Sequence, residues 1–256
     1  MELTYKQAKL HYTKSGKGPA VVLLHGFLES SVMWDFLIEE LKSSHTLLAI
    51  DLPGHGNSEC LGYIHTMETM AEAVEAILHY EKIPEATLVG HSMGGYVCLA
   101  LIEKNPKLCH NLLLLNSNTV SDSEEKAANR DRAIQLLKTH REAYIKMAIS
   151  NLFAETTRLA FEPEIEALKE MAMQFPVQGI IAALEGMKIR KDRTQLLKKQ
   201  KFPKHLIAGK NDPIMPSEDL KQMAYNTHAF FYEIDGGHMS TIENRTEVLE
   251  VFRKII

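Results

Sequence analysis

Residues Ala86–Glu103 read ATLVGHSMGGYVCLALIE, and the fold prediction starts from this stretch. The run before Gly90 is apolar, as in a buried strand, and Tyr96–Glu103 places apolar residues at helical spacing. Between them, Gly90-His91-Ser92-Met93-Gly94 fits the pattern Gly-x-Ser-x-Gly, which a chain of this length contains by chance about one time in ten. The strand–turn–helix context is more specific, because a nucleophile elbow requires it. It predicts Ser92 as a nucleophile held in a strained turn at the carboxyl end of a strand.

Short apolar runs alternate with helical patterns on both sides of this stretch. A continuous apolar run is typical of a strand that is buried on both faces of a parallel sheet. One helical pattern, Thr66–Tyr80, lies between two of these runs. The alternation predicts an α/β fold with a mostly parallel, twisted sheet that is flanked by helices. The other predicted strands are Ala20–Leu24, Thr46–Ile50, Leu112–Leu115, His205–Ala208 and Ala229–Ile234, with Leu3–Tyr5 and Lys9–Thr13 as an antiparallel hairpin at the sheet edge.

Residues 119–200 break the alternation. They contain no convincing strand pattern and read as several helices, with Pro163 and Pro176 at positions where helices commonly begin. Ser121, followed three residues later by Glu124, is expected to cap one of these helices. We therefore predict a core of residues 1–118 and 201–256 that carries residues 119–200 as an inserted helical cap.

Composition excludes several classes of partner and location. The chain has 29 Lys and Arg against 33 Asp and Glu, for a net charge of -4, so no basic excess is available for nucleic-acid phosphates. Its longest aliphatic run, Leu112–Leu115, is too short to span a membrane. Three cysteines give no disulfide framework and, with no signal-peptide pattern, favour a cytoplasmic protein, either a monomer or a homodimer. Metal-ligand clusters and nucleotide loops are missing from the sequence, so no metal and no cofactor are expected.

Two further segments complete a resemblance to a known family. His25-Gly26-Phe27 directly follows the first buried strand, and Asp51–Ser58, which reads DLPGHGNS, follows the next parallel strand. With the elbow after them, in this order, they make the chain similar over nearly its whole length to the α/β-hydrolase superfamily. The resemblance implies the α/β-hydrolase fold and an oxyanion hole formed by the backbone N–H groups of Phe27 and Met93. It also implies that the Asp and His of the DLPGHGNS loop are structural.

In this family the remaining catalytic residues follow later strands, in the chain order serine, acid, histidine. His238 stands in a glycine-rich loop directly after the last predicted strand, and no other of the twelve histidines combines these two features. Asp212 follows the His205–Ala208 strand and matches the family position of the acid, whereas the preceding strand ends in Asn116–Asn118 without a carboxylate. We predict a triad in which His238 is the general base for Ser92 and Asp212 orients the histidine.

The predicted cap is expected to select the substrate. Its Met and Phe side chains offer an apolar and adaptable lining, or they only pack the cap helices together. His25 and His91 flank the nucleophile, either as substrate contacts or as structural residues. The expected ligand is a small ester-like molecule with a small or medium apolar acyl group. The candidate lining residues of the cap are Met147, Phe153, Met171 and Phe175.

Several functions stay open for such a triad. The elbow, the cap and Arg190–Thr194 look similar to small esterases and 3-oxoadipate enol-lactonases, which implies hydrolysis of a carboxylic ester, thioester or lactone. Some capped relatives are instead small-molecule receptors or signalling proteins with slow turnover. C–C bond hydrolases and the lyase related to menaquinone synthesis share the triad, but Tyr96 stands where that lyase is expected to have an arginine. Relatives that open epoxides or displace halide have Asp at the elbow, so Ser92 argues against those reactions.

Overall fold

A computed structural model describes the whole chain, Met1 to Ile256, and its centre is a single eight-stranded sheet. The strands are β1 (Glu2–Tyr5), β2 (Ala8–Gly16), β3 (Ala20–Leu24), β4 (Thr46–Ile50), β5 (Ala86–His91), β6 (Cys109–Leu115), β7 (Lys204–Gly209) and β8 (Phe230–Ile234). Their order across the sheet is β1-β2-β4-β3-β5-β6-β7-β8. β2 is antiparallel to β1 and β4, and every other pair is parallel. The predicted α/β fold with a mostly parallel sheet is confirmed.

Eleven α-helices connect and cover the strands, and a 3-10 turn precedes the first of them. None of the eleven combines the length and the apolarity needed to cross a bilayer. The helices are α1 (Asp35–Leu41), α2 (Met67–Tyr80), α3 (Met93–Lys104), α4 (Glu124–Thr139), α5 (Arg141–Ser150), α6 (Glu162–Gln174), α7 (Val177–Lys188), α8 (Thr194–Lys199), α9 (Ser217–Thr227), α10 (Ser240–Glu243) and α11 (Arg245–Ile255).

The central strands are apolar on both sides because each face of the sheet is covered. Successive side chains of a strand point to opposite faces, so Val22 and Leu24 of β3 pack into one core while Val21 and Leu23 pack into the other. The smaller core also contains Trp34, whose ring lies 6.4 Å from that of Phe252 on α11. Continuous apolar runs rather than alternating ones follow from this double coverage.

The strand order places the candidate site. After β3 the chain adds β4 on one side, and it then adds β5 to β8 on the other side. The loops that follow β3 and β5 therefore diverge to opposite sides of the sheet, and ligands of open α/β sheets bind at such a switch point. Leu24 pairs with Gly90 in the β3–β5 register, so the segments after these two strands begin side by side.

Residues 119–200 contain α4 to α8 and no strand. Pro163 lies in the first turn of α6, and Pro176 is the N-cap of α7, as the sequence predicts. The predicted cap at Ser121 is wrong. Ser123 caps α4 instead, because its Oγ accepts a hydrogen bond of 3.2 Å from the Lys126 N–H.

Candidate active site

Ser92 occupies a sharp turn between β5 and α3. Its backbone has φ 49° and ψ -114°, a conformation that residues other than glycine rarely adopt. Two hydrogen bonds hold the turn: Ser92 N–H donates to the Leu115 carbonyl at 3.0 Å, and the Ser117 hydroxyl donates to the Ser92 carbonyl at 2.7 Å. The strain is thus maintained by contacts with β6 and the loop that follows it.

Gly94 allows the helix after the turn to lie against β3. A Cβ atom at this position would lie 2.3 Å from the carbonyl oxygen of Leu24, which is backbone and has no freedom to rotate away. A side chain here would push α3 away from the sheet and displace the turn. The spacing Gly-x-Ser-x-Gly therefore has a steric cause in this chain.

Asp212 and His238 meet in the loops that follow β7 and β8. His238 Nδ1 lies 2.7 Å from Asp212 Oδ2, and both side chains are buried. The other carboxylate oxygen of Asp212 accepts hydrogen bonds from Ile214 N–H at 2.7 Å and Met215 N–H at 2.9 Å. Because a carboxylate oxygen can only accept, the Nδ1–H group of His238 is the donor in this hydrogen bond.

Ser92 and His238 line the same cavity, which has a volume of about 440 Å³. The two side chains do not hydrogen-bond directly to each other in this structure; they share the wall of one chamber. Apolar side chains of α5 and the segment after it, including Met147, Ala148 and Leu152, form much of the rest of its wall. The predicted lining residue Met147 is thus placed in the cavity that contains Ser92.

Three other residues predicted to line the pocket lie outside it, and the expectation for them needs correction. Phe153 is fully buried and packs against Phe161, with ring centroids 6.4 Å apart. Phe175 packs against the ring of His55 at 5.6 Å, and Met171 accepts a hydrogen bond from the Ser30 hydroxyl at 3.2 Å. These side chains therefore pack the helical segment together and against the core, which the sequence pattern left as the alternative.

Two backbone N–H groups close to Ser92 in the chain or in the cavity wall have no acceptor within the protein. Neither Phe27 N–H nor Met93 N–H donates a hydrogen bond within the chain. Phe27 also lines the cavity, and Met93 begins α3 directly after Ser92. The first N–H groups of a helix have no partner within the helix, so they are free to bind a developing negative charge.

His25 and His91 are both fully buried and do not line the cavity, which corrects their inclusion as substrate contacts. His25 is fully buried; its Nδ1 contacts the Gly26 carbonyl at 2.7 Å, and its Nε2 accepts from Leu52 N–H at 2.9 Å. Burial lowers the pKa of His25, because the charged imidazolium would lose its hydration. The ring therefore joins the loop after β3 to the loop after β4.

His91 forms a buried ion pair with Glu29, a residue that the sequence reading missed. His91 Nδ1 lies 2.9 Å from Glu29 Oε2, and His91 Nε2 lies 2.9 Å from the carbonyl oxygen of His238. Both partners are acceptors, so the ring needs both protons. Burial alone would lower the pKa of His91, but the charge and hydrogen bond of Glu29 outweigh it and the pKa is raised. Burial would raise the pKa of Glu29, but the charge and hydrogen bond of His91 and the Gly26 N–H lower it.

Asn116 is a second residue that the sequence reading missed. It follows β6 with a positive φ of 45°, and its Nδ2 donates to the His238 carbonyl at 2.7 Å. Its Oδ1 accepts from Gly209 N–H at 2.7 Å. Its signal in the sequence is its place at the carboxyl end of a strand, beside the loops of the predicted triad. The amide fixes the ends of β6 and β7 and the histidine loop relative to one another.

Comparison with known proteins gives a consistent result. A family model described as alpha/beta hydrolase fold matches residues 19–245. The solved structure of a thermophilic esterase from Thermogutta terrifontis has 30% identity and a TM-score of 0.92, over 99% of this chain and 96% of that one. An enol-lactonase from Burkholderia xenovorans LB400 has 21% identity and a TM-score of 0.92, over 100% and 99%, which shows the fold alone.

Curated sequences match over shorter lengths. An uncharacterized hydrolase of Bacillus subtilis (strain 168) is 36% identical over 109 residues, which is 42% of this chain and 40% of that protein. The chain thus spans well under half the length of this relative and 31% of the length of the mycobacterial proteins that match next. What these relatives do as whole proteins does not carry over directly to this chain.

Proposed function

Because this chain belongs to the alpha/beta hydrolase fold family, we propose that it is a serine hydrolase that cleaves a carboxylic ester, thioester or lactone. The observation that carries the proposal is the His238–Asp212 contact of 2.7 Å, together with the cavity that His238 and Ser92 both line. Hydrolase activity is consistent with the esterase at 30% identity over nearly the full length of both chains.

The arrangement accounts for each proton transfer of an acyl-enzyme reaction. His238 Nε2 takes the proton of the Ser92 hydroxyl while Oγ bonds to the carbonyl carbon of the substrate. The carbonyl oxygen becomes an oxyanion, which Phe27 N–H and Met93 N–H stabilise; each such donor contributes about 3 kcal/mol in comparable sites. The imidazolium, oriented by Asp212, then gives its proton to the leaving alkoxide or thiolate as the carbon–heteroatom bond breaks. Water repeats the sequence on the acyl-enzyme, releases the acid and restores the serine.

We propose that residues 119–200 form a cap over this site. α4, α5 and α7 supply cavity-lining residues, whereas the catalytic side chains come from loops of the core. The apolar part of the wall, with Met147, Ala148, Leu152 and Met187, suits a small or medium apolar acyl group. Methionine side chains in such a wall adapt to acyl chains of different shape.

A fluorophosphonate probe tests the nucleophile. The probe is expected to label Ser92 in the intact protein, as located by peptide mapping, because only a serine activated by a base attacks phosphorus at a useful rate. Ser92→Ala is expected to lose labelling and to lose p-nitrophenyl ester turnover by several orders of magnitude. Ser44→Ala, at a serine in the loop before β4, is the matched control and should keep both. Labelling of a different residue, or ester turnover that survives in Ser92→Ala, would contradict the proposal.

A further inference from the structure

The candidate active-site cavity adjoins a cationic region, although the chain as a whole carries a net charge of -4. A second cavity of about 330 Å³ shares a wall with the first, and Arg130, Tyr96 and Tyr144 line both. The second cavity has three further charged residues in its wall, Arg190, Lys126 and Asp122. Three cations against one anion leave an excess of two positive charges beside a site for ester-like molecules. We call this region, defined by these six residues, the basic end of the cavity.

Arg130 has hydrogen-bonding capacity that the protein does not use. Its Nε and Nη2 are directed at the carboxylate of Asp122, whereas Nη1 contacts only the Sδ atom of Met187 at 3.5 Å. A thioether is a weak acceptor, so this amino group has no oxygen partner. The Arg130 side chain is only 19% exposed, and it lines the cavity that contains Ser92. A half-buried guanidinium with free donors is suited to bind a carboxylate through charge-assisted hydrogen bonds.

Asp122 does not cancel this positive charge. The carboxylate is shared between Arg130 and Arg190, and Arg190 also donates to the Val120 carbonyl at 3.0 Å. Lys126 makes no ion pair, and it precedes Arg130 by one helical turn, so the two side chains lie on the same face of α4. The one other carboxylate in the cavity wall, Glu29, is neutralised by its ion pair with His91.

Two tyrosine hydroxyls add neutral donors at the same place. Neither Tyr96 OH nor Tyr144 OH forms a hydrogen bond within the chain, and both rings line the two cavities. The Tyr96 ring is fixed by the guanidinium of Arg190, whose central carbon lies 4.2 Å from the ring centroid. Burial raises the pKa of Tyr144 to about 12, so this hydroxyl remains a donor across the physiological range.

From this arrangement we infer that the substrate carries a carboxylate, and that Arg130 binds it at the basic end while Ser92 attacks the ester or lactone carbonyl. The inference rests on the proposed hydrolase function and narrows its substrate class. The two cavities share Arg130, Tyr96 and Tyr144 in their walls, so an apolar chain with a terminal carboxylate that extends from Ser92 to Arg130 matches both the apolar wall and the basic end. The carboxylate belongs either to the acyl group or to the alcohol of the ester. Arg130 would bind it in the same way in both cases.

Matched pairs of esters test the inference. In the acyl arm, mono-p-nitrophenyl glutarate is compared with p-nitrophenyl pentanoate; in the alcohol arm, 4-(butyryloxy)benzoate is compared with its methyl ester. Wild type is expected to show a higher kcat/KM for the charged member in at least one arm. Arg130→Gln is expected to reduce that ratio about 10- to 100-fold, as follows from losing a charge-assisted hydrogen bond. Arg130→Lys, which keeps the charge but loses the fork, should retain part of the preference.

The control is Arg132→Gln, an exposed arginine of the same helix that lies outside both cavities, and it should keep the wild-type ratio. Glutarate should also inhibit turnover of the neutral ester competitively, and more weakly in Arg130→Gln. Equal kcat/KM values for charged and neutral esters in both arms, or an equal loss for both in Arg130→Gln, would overturn the inference while leaving the hydrolase function intact. Failure of the proposed function itself is distinct, because it appears as no turnover of any ester and no fluorophosphonate labelling of the wild type.

Discussion

At the scale of single residues, Glu29 joins three parts of the candidate site that are far apart in sequence. Its carboxylate accepts from Gly26 N–H at 2.7 Å and pairs with the His91 ring, which in turn contacts the carbonyl of His238. The oxyanion loop, the nucleophile turn and the histidine loop are therefore connected through one buried ion pair. A buried pair of this kind does not add much net stability, but losing one partner leaves an uncompensated polar group.

Glu29→Gln tests this connection through the pH dependence of stability. The raised pKa of His91 means that its contribution is fully present below the ordinary value of 6.5 and is lost as pH rises through the higher folded-state pKa. The lowered pKa of Glu29 means that its contribution is present above 4.5 and is lost as pH falls through the lower folded-state pKa. Wild type should exceed Glu29→Gln by about 1–3 kcal/mol in free energy of unfolding between these values.

Urea denaturation from pH 5 to pH 9 measures this difference, which should shrink on the alkaline side. Glu39→Gln, at a carboxylate of α1 whose side chain is 69% exposed, is the control and should change the free energy of unfolding by no more than about 0.5 kcal/mol. A Glu29→Gln deficit that is constant across the whole range would show that the ion pair does not form.

At the scale of elements, α7 lies with its backbone against the loop that leads from β4 to α2. A Cβ atom at Gly186 would lie 1.7 Å from the carbonyl oxygen of His65, and one at Gly179 would lie 2.6 Å from the Cα of Gly54. His65 N–H also donates to the Ala182 carbonyl at 2.9 Å. This helix of the segment 119–200 is thus held against the loop before α2 by direct backbone contact along most of its length. This contact determines how far α7 stands from the candidate site.

Gly186→Ala is expected to lower the free energy of unfolding by about 1–3 kcal/mol, as overpacking does. An alanine inside an exposed helix would have the opposite effect, because it favours the helix by about 1 kcal/mol over glycine. The sign of the change in urea denaturation therefore decides whether α7 packs as described. Glu185→Ala, the adjacent position with a side chain 29% exposed, is the control and should be nearly neutral. Stabilisation by Gly186→Ala would contradict the contact.

At the scale of the whole molecule, the helical segment and the sheet share one hydrophobic core. The larger cluster of 49 buried residues contains Leu24 and Met93 of the core together with Ile134, Ile145 and Ile180 of the segment 119–200. Hydrogen bonds continue the connection, because His238 N–H donates to the Leu152 carbonyl at 3.0 Å. The proposed cap has no separate core of its own on which to fold.

Calorimetry is expected to show a single unfolding transition with a ratio of calorimetric to van't Hoff enthalpy near one, since cap and core expose the same cluster when either unfolds. Limited proteolysis should then release no stable fragment that ends near residues 119 or 200. Two resolved transitions, or a protease-resistant core without the helical segment, would show that the segment is an independent domain.

The sequence by itself determined the sheet, the elbow and the residues proposed for the triad. Strand runs such as Ala20–Leu24 and Ala86–Val89 are visible because both faces of a parallel sheet are buried, so every position is apolar. Ser92 and Asp212 follow such runs, His238 follows the edge strand β8, and the carboxyl ends of parallel strands meet at one edge of the sheet. Local pattern and chain order therefore suffice to nominate them.

Only the tertiary structure decided which side chains of the helical segment face the cavity. Phe153 and Phe175 are as apolar as Met147, but they pack against Phe161 and His55, whereas Met147 lines the cavity that contains Ser92. In the sequence, Arg130 is one of several charged residues of a polar helix. Only the packing of α4 against the core shows that it lines the cavity. The physical reason is that the surroundings of a helix face depend on contacts with residues distant in sequence. The burial of a strand between two layers, in contrast, is visible in the apolar residues of the strand itself.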